Sequence, residues 1–343
     1  MWGSWRFDRD RTPMATGRRR WLRALAIALV TVVAIEVMAQ VVSSRLPEPL
    51  VWPRYEVQRK IDDLRALGAD GCLDVAVLGT SVADAALDAG RIEETLGGGR
   101  RVYNASLAGA GLGTMQAWAD DVVLPVACPE HVVIGVSVRD LNDSNAESEF
   151  AQEYEASLGR EELLDEASVG ERIELAAMDW LGLARLRDAF RDPSAAAAWL
   201  RDRSGAWRET NDRHGTLTRF QRSSYDTSAR RRTNDSEVVF GGYHAGGARS
   251  RELAGLAERI AQTGASVTIV MLPYAQAETI DLLPDGERDI AEYEAAVTTV
   301  AEQTGAELIN LTGLVTDRTA FADPYHLDGD GAASVSDALA RQL

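Results

Sequence analysis

Short apolar runs alternate with stretches of helical periodicity through much of the chain after residue 72. The runs are rich in Val, Ile and Leu and end at Gly or polar residues, which is typical of buried parallel strands. Five strands are predicted at residues 73–79, 101–105, 131–138, 266–272 and 307–311. Helices are predicted over residues 84–96, 250–263 and 289–304, and through Met115, Trp118 and Val122. This alternation implies βαβ units, so we expect an α/β fold whose parallel five-stranded sheet is covered by helices on both faces.

About 100 residues between the third and fourth strands, 142–249, break this rhythm. They are polar. Helical spacing recurs near residues 147–167, 170–190 and 194–203, followed by an arginine-rich tract at 208–232. A crossover between parallel strands needs only a dozen or so residues, so the excess is interpreted as a mostly helical insertion that forms a lid, a subdomain or an interaction surface. The α/β domain is therefore predicted to consist of residues 72–141 and 250–343.

The N-terminal region has the pattern of a membrane anchor. Residues 1–23 carry seven Arg and two Asp, and the only strongly polar residues in the largely apolar stretch 24–42 are Glu36 and Gln40. A 19-residue helix is about 28 Å long, close to the ~30 Å hydrocarbon core of a bilayer. Arginines ahead of the span place the N-terminus in the cytoplasm and everything after about residue 45 outside it. Residues 43–71 then form a stalk and a leading helix.

Two other interpretations of residues 24–42 stay open. The segment is also compatible with a cleaved signal peptide, with Val37-Met38-Ala39 as a weak small-residue site, or with a buried helix of a soluble domain. Glu36 weakens the span, since a carboxylate at the membrane centre costs ~2.5 kcal/mol or more. It lies in the last third of the span, nearer the far interface, and we expect an uncleaved, single-pass anchor.

Composition excludes several classes of protein. The net charge of −17 argues against nucleic-acid binding, which needs clustered Lys and Arg. Two cysteines cannot build a disulfide-dense scaffold or a four-thiolate zinc site. No His, Cys and Asp cluster has metal-ligand spacing, so neither a metal nor another cofactor is predicted.

Candidate chemistry follows three of the predicted strands, where the carboxyl ends of an open parallel sheet gather reactive residues. Ser81 follows the first strand at the start of a helix, where backbone N–H groups can stabilise an oxyanion. The loop with Gly109 follows the second strand. Asp323 and His326, three residues apart, follow the fifth. A serine nucleophile needs a base and an orienting carboxylate, and these residues supply both.

These motifs, in this order, resemble those of the SGNH (GDSL-like) hydrolase superfamily over about residues 72–141 and 250–343. Gly79-Thr80-Ser81 corresponds to the first block, Gly-Asp-Ser, and residues 323–327 match the last block, Asp-x-x-His-Leu, in full. The resemblance implies a flavodoxin-like three-layer fold. It implies Ser81 as nucleophile, His326 as base and Asp323 as its orienting group, with an oxyanion hole formed by Ser81 and Gly109.

The third block departs from the family pattern. The family has Gly-x-Asn-Asp, whose Asn amide completes the oxyanion hole, and here the aligned residues are Ser137-Val138-Arg139-Asp140. Arg139 can donate to an oxyanion or bind an anionic group of the substrate. Asn142, three residues further on, is a second candidate for the missing donor.

An anchored extracytoplasmic domain of this type looks like proteins that add or remove acyl groups on bacterial envelope polysaccharides. The first hypothesis is therefore a carbohydrate O-acyltransferase or O-acetylesterase of the cell envelope, with an envelope carbohydrate or acyl ester as substrate and a membrane-bound O-acyltransferase as a possible partner. The alternative is a non-catalytic accessory or glycan-binding protein, motivated by the missing block-three Asn. Hydrolysis of a simple acetyl ester discriminates between the two hypotheses.

Cys72 and Cys128 each precede a strand, the first and the third. In the flavodoxin-like strand order 2-1-3-4-5 these strands are neighbours, about 4.8 Å apart, which suits the Cα separation of a disulfide. An oxidising compartment permits the bond. We expect a disulfide at the amino end of the sheet, with two buried free thiols as the alternative.

Overall fold

A computed structural model describes most of the chain outside the insertion. The described residues are 14–43, 55–144, 154, 158–164, 168–187, 190, 193, 197, 214–216 and 235–343. The fold is built on one sheet, and the insertion is described only in part.

Five parallel strands form the sheet, in the order β2-β1-β3-β4-β5. The strands are β1 (Val75–Gly79), β2 (Val102–Asn104), β3 (His131–Val136), β4 (Ser266–Met271) and β5 (Glu307–Asn310). The three inner strands are almost wholly buried, as expected for a sheet covered on both faces. The predicted α/β class and flavodoxin-like strand order are confirmed, and each strand is shorter than predicted by one to two residues at its ends.

Helices cover both faces of the sheet. Those described are α1 (Met14–Ser43), α2 (Tyr55–Ala69), α3 (Ser81–Ala86), α4 (Ala89–Leu96), α5 (Leu112–Trp118), α6 (Leu158–Leu163), α7 (Val169–Trp180), α8 (Gly182–Arg185), α9 (Ala248–Gln262), α10 (Gln276–Leu282), α11 (Glu287–Thr304) and α12 (Gly329–Ala340). Parallel crossovers are right-handed. The chain runs from β1 to β2 in one direction across the sheet and from β2 to β3 in the opposite direction, so the helices of these two crossovers lie on opposite faces. On one face α3 and α4 pack with α12, and on the other α5, α9 and α11 pack together.

The predicted single helix over residues 84–96 is wrong, because the chain forms α3 and α4 instead. Leu87 is extended, and the Asp88 side chain accepts the backbone N–H of Arg91 and starts α4. The break lets α3 begin at Ser81, directly after the strand. A cap of this kind competes with continuous helix, and the apolar periodicity did not reveal it.

The insertion contributes α6, α7 and α8 to the described residues, and an irregular π-helical turn at Asp235–Val239 leads back to α9. Of the predicted helical stretches near 147–167 and 170–190, the first contains α6 and the second contains α8 and all of α7 except Val169. The stretch near 194–203 and most of the arginine-rich tract at 208–232 lie outside the described residues.

The N-terminal helix α1 is long and exposed. Its stretch Arg20–Ser43 has the length and composition to cross a membrane, and its large apolar side chains from Trp21 to Val42 are exposed. The basic residues before Met14, and residues 44–54 of the predicted stalk, lie outside the described residues.

Cys72 and Cys128 are joined by a disulfide, with their Cα atoms 4.9 Å apart. The backbone brings them together, since Leu73 N–H donates to Ala127 and Glu130 N–H donates to Leu73. The bond closes a loop between residues 56 positions apart, at the end of the sheet opposite the carboxyl ends of the strands.

Reduction of this disulfide should lower the melting temperature and leave catalysis intact. The chain-entropy model gives a loss of ~4 kcal/mol for a loop of about this length. We expect the double variant Cys72→Ser/Cys128→Ser to melt at a lower temperature by circular dichroism and to keep the kcat of the native protein. An unchanged melting temperature would show that the bond does not constrain the unfolded chain.

Candidate active site

Ser81 lies at the junction of β1 and α3. Thr80 caps the helix, its hydroxyl accepting the N–H of Val82 at 3.3 Å. Gly79 has φ of 155°, and a Cβ there would lie 2.6 Å from the carbonyl oxygen of Gly135 in β3. Only glycine allows this close approach, which ends the strand sharply and turns Ser81 to the carboxyl edge of the sheet. Ser81 is nearly buried, with 8% of its surface exposed.

Two residues from the C-terminal part of the chain meet Ser81. His326 Nε2 lies 2.9 Å from Ser81 Oγ, and His326 Nδ1 lies 2.7 Å from Asp323 Oδ2. Asp323 and His326 are themselves nearly buried. A chain of hydrogen bonds therefore connects a serine hydroxyl, an imidazole and a carboxylate across a sequence separation of 245 residues.

The carboxylate of Asp323 fixes the tautomer of His326. Burial alone would raise the pKa of Asp323, but the charge and hydrogen bond of His326, with the backbone N–H groups of Tyr325 and His326, outweigh it and hold that pKa below its usual value. An ionised carboxylate only accepts hydrogen bonds, so Nδ1 of the neutral ring carries the proton. Nε2 is then an acceptor, and the Ser81 hydroxyl donates to it.

The loop that carries Asp323 and His326 is held from both sides. Ala322 N–H donates to the carbonyl of His326, which closes the loop on itself. The carbonyl of Pro324 accepts the N–H of Ala275 at 2.7 Å and the hydroxyl of Thr279 at 3.1 Å. The start of α10 therefore holds the loop after β5 over the end of β1. Sequence periodicity did not predict this helix.

The Gly109 loop runs beside the end of β1. Ala105 and Leu107 donate backbone N–H groups to Val77 and Gly79, at 2.8 and 3.0 Å. The buried amide of Asn104 donates to the carbonyl of Leu87, at 2.8 Å. The loop is therefore fixed next to the helix that starts at Ser81, and Gly109 lies in an exposed turn of it.

Arg139 lies on a short 3₁₀ helix after β3, Val138–Leu141, and Asn142 directly follows this helix. The Arg139 guanidinium lies over the ring of Tyr325, 5.3 Å from its centroid, and that ring is 4.8 Å from the ring of His326. Arg139 therefore borders the His326 loop. Asn142 is fully buried and its amide donates to the carbonyl of Val239 at 2.9 Å, so this side chain also ties the insertion to the domain.

Asp140 is a positioning residue that sequence reasoning did not single out. Its Oδ2 accepts the N–H and the hydroxyl of Ser137, and its Oδ1 accepts the Thr80 hydroxyl at 2.9 Å. Asp140 therefore holds the turn before Ser81 against the turn after β3. The Ser-x-x-Asp spacing from Ser137 to Asp140, a capping-box pattern, was the available signal.

A second missed cluster surrounds Lys60, the only lysine of the chain. Lys60 on α2 is fully buried, and its ammonium donates to Asp84 of α3 at 2.9 Å and to the carbonyl of Ser106. Glu56, one turn earlier, accepts the N–H of Ala108 at 3.1 Å. Burial raises the pKa of Glu56 against the opposing charge of Lys60. Helix α2 thus contacts both the serine-bearing helix and the Gly109 loop.

Comparisons with known proteins return structures and not sequence relatives. No protein-family model matches the chain, and no curated protein sequence matches it. Similar solved structures include a catalytic mutant of an acetylxylan esterase from Geobacillus stearothermophilus, at 11% identity and a TM-score of 0.39, covering 78% of this chain and 92% of that one.

Two further structures show the same level of similarity. A carbohydrate acetylesterase from Sinorhizobium meliloti matches at 11% identity and a TM-score of 0.36, over 79% of this chain and 97% of that one. The native aryl esterase of M. smegmatis matches at 12% identity and a TM-score of 0.36, over 79% and 98%. At these values the similarity by itself assigns neither an activity nor a residue role to this chain.

Proposed function

We propose that the chain is a serine esterase or O-acyltransferase of the SGNH type, anchored in the cell membrane by α1 and acting outside the cytoplasm on acyl esters of cell-envelope carbohydrate. One observation carries this proposal: Ser81, His326 and Asp323 form a continuous hydrogen-bonded chain at the carboxyl edge of the sheet. The serine comes from a helix start and the other two residues from a distant loop. Their arrangement, with a base next to the hydroxyl and a carboxylate that orients the base, is that of an activated nucleophile.

The acylation step follows from the hydrogen bonds. His326 Nε2 takes the proton of Ser81 as the serine oxygen attacks the ester carbonyl, and Asp323 stabilises the imidazolium through Nδ1–H. The oxyanion is stabilised by the N–H groups of Ser81 and Gly109, with Arg139 at the position where the family has Asn. His326 then protonates the leaving alcohol, which leaves an acyl group on Ser81.

The second half of the reaction decides between esterase and transferase. Water or a sugar hydroxyl gives its proton to His326 and attacks the acyl-enzyme, and exclusion of water favours the sugar. The insertion at residues 142–249 joins the domain near Arg139 and Asn142, so it is suited to shape the acceptor side. A membrane-bound O-acyltransferase is the partner that would supply an acyl group to an enzyme anchored in this way.

Turnover of p-nitrophenyl acetate by the detergent-purified full chain tests the proposal. We expect a burst followed by steady hydrolysis, and an increase in ester product when an oligosaccharide acceptor is added if transfer dominates. An intact, folded protein that neither hydrolyses nor becomes acylated would favour the non-catalytic, glycan-binding alternative.

Arg139 should act as an oxyanion donor. Removing one such donor lowers kcat by about 10²–10³ in a serine protease, so we expect Arg139→Ala to lower kcat on p-nitrophenyl acetate by a similar factor, with a smaller change in KM. Arg139→Asn, which restores the family's donor, should recover most of that loss. If Arg139→Ala keeps the native kcat on this ester, Arg139 serves another role, such as binding an anionic substrate group.

A further inference from the structure

Glu36, the one carboxylate in the apolar part of α1, is paired with the insertion. Its Oε1 accepts the N–H of Gly182 at 2.6 Å and its Oε2 accepts the N–H of Leu183 at 3.3 Å. Gln40, one turn later, donates to Glu36 at 3.0 Å and to the carbonyl of Trp180 at 2.6 Å. The first N–H groups of α8 and the carboxylate of α1 therefore satisfy each other.

The contact between the two segments is close. Gly182 is buried against α1, and a Cβ at that position would lie 2.4 Å from the backbone nitrogen of Gln40 and 2.6 Å from the carbonyl carbon of Ala39. No side chain fits there without moving a backbone, so glycine permits the two helices to meet. Small residues at a crossing of this kind are typical of helices that pack within a membrane.

The same part of the insertion exposes apolar side chains. Beyond α1, nine large apolar side chains are exposed among the described residues, and six of them lie between Val169 and Phe190. The six are Val169, Ile173, Trp180, Leu181, Leu183 and Phe190. Trp180 and Leu183 lie where the insertion contacts α1, through the hydrogen bonds that their backbone groups make with Gln40 and Glu36. The proposed function places the exposed apolar surface of α1 in lipid.

The depth of Glu36 agrees with this placement. Glu36 precedes Ser43 by seven residues, or about 10 Å of helix, so it lies in the half of the bilayer next to the folded domain. Unpaired carboxylates and unpaired N–H groups are both unfavourable in hydrocarbon, and their mutual hydrogen bonds reduce both penalties. Helix α7 carries charged as well as apolar residues, which suits a helix lying at the interface.

We propose that residues 168–187, the docking segment, bind the outer half of the anchor and insert their exposed apolar side chains among the acyl chains of the outer leaflet. The occupant of this surface is phospholipid. The docking segment then seats the domain on the membrane surface, with Trp180 at the level where aromatic residues favour the interface. This inference rests on the proposed membrane anchor.

Spin labels on single cysteines test it in the full chain, reconstituted in vesicles of phosphatidylethanolamine and phosphatidylglycerol. The labels replace Leu183 in the docking segment, Val30 in α1 and Leu314, an exposed apolar residue of the sheet domain. We expect Leu183→Cys to resemble Val30→Cys, being accessible to oxygen and shielded from a water-soluble nickel complex, and Leu314→Cys to show the reverse. Adding Gly182→Leu should move the label at position 183 into water and leave that at position 30 in lipid.

The outcomes separate the two proposals. A label at position 30 that reacts with the nickel complex overturns the anchor and the docking segment together. A label at position 30 in lipid with one at position 183 in water overturns the docking segment alone. A label at position 183 that is shielded from both reagents shows that protein, such as a second copy of the chain, covers this surface and also overturns the assignment to lipid.

Discussion

Replacing Ser81 by alanine should lower kcat on p-nitrophenyl acetate by about 10⁶, the loss found when the triad serine or histidine is removed from a serine protease. The loss is expected because the variant lacks the hydroxyl that lies 2.9 Å from His326 Nε2 and that His326 activates. The fold should be unaffected, since Ser81 is small and lies at a strand end. Steady-state kinetics and a thermal melt of the same preparation measure both effects.

Two further variants complete this test. His326→Ala should cause a similar loss, and the Ser81→Ala/His326→Ala pair should be no slower than either alone, because residues that act as a unit are not additive. Ser334→Ala, which changes an exposed serine of α12, is the matched control and should keep the native kcat. Full activity in Ser81→Ala would remove the serine mechanism.

Replacing Lys60 by methionine should lower the free energy of unfolding by about 3–5 kcal/mol, because removal of one partner of a buried ion pair leaves the other charge uncompensated. Asp84 is fully buried and receives the Lys60 ammonium at 2.9 Å. Methionine has a similar length, so the change removes mainly charge and hydrogen bonds. For a domain of this size the loss corresponds to a fall in Tm of about 6–20 °C, measurable by calorimetry.

Arg288→Met is the control for this prediction. Arg288 pairs with Asp285 on the surface, with 73% of the Arg288 side chain exposed, and exposed pairs contribute little, so its Tm should stay close to the native value. A Lys60→Met variant that melts with the native protein would show that the cluster is held by packing and not by charge.

The sheet and the catalytic candidates could be predicted from the sequence because each is encoded locally. Apolar runs mark β1, β3 and β4, and parallel crossover rules then restrict the strand order. The Ser81 motif directly follows β1, and His326 lies in the loop between β5 and α12. The fold alone brings the carboxyl ends of β1 and β5 to one edge of the sheet.

The supporting contacts could not be predicted in the same way, because their partners are distant in sequence. Lys60 meets Asp84 and the carbonyl of Ser106 only after α2 packs against the sheet. Asp140 likewise receives the hydroxyl of Thr80 from a different loop. A single charged residue within a helical pattern carries no signal of what it will contact once buried.

Glu36 shows the same limit for the anchor. As a sequence feature it weakened the prediction of a membrane span, since its cost in hydrocarbon was known and its partners were not. In the structure the N–H groups of Gly182 and Leu183, some 146 residues away, donate hydrogen bonds to the Glu36 carboxylate. The anchor and the insertion therefore have to be interpreted together.

Covalent labelling by a fluorophosphonate tests most directly whether Ser81 is an activated nucleophile. The reagent phosphonylates a serine whose hydroxyl is deprotonated by a neighbouring base, so mass spectrometry of a peptide digest should find one adduct, on Ser81, in the native protein. His326→Ala should lose the adduct while staying folded. Native protein that hydrolyses p-nitrophenyl acetate but carries no adduct on Ser81, or carries it on another residue, would contradict the account.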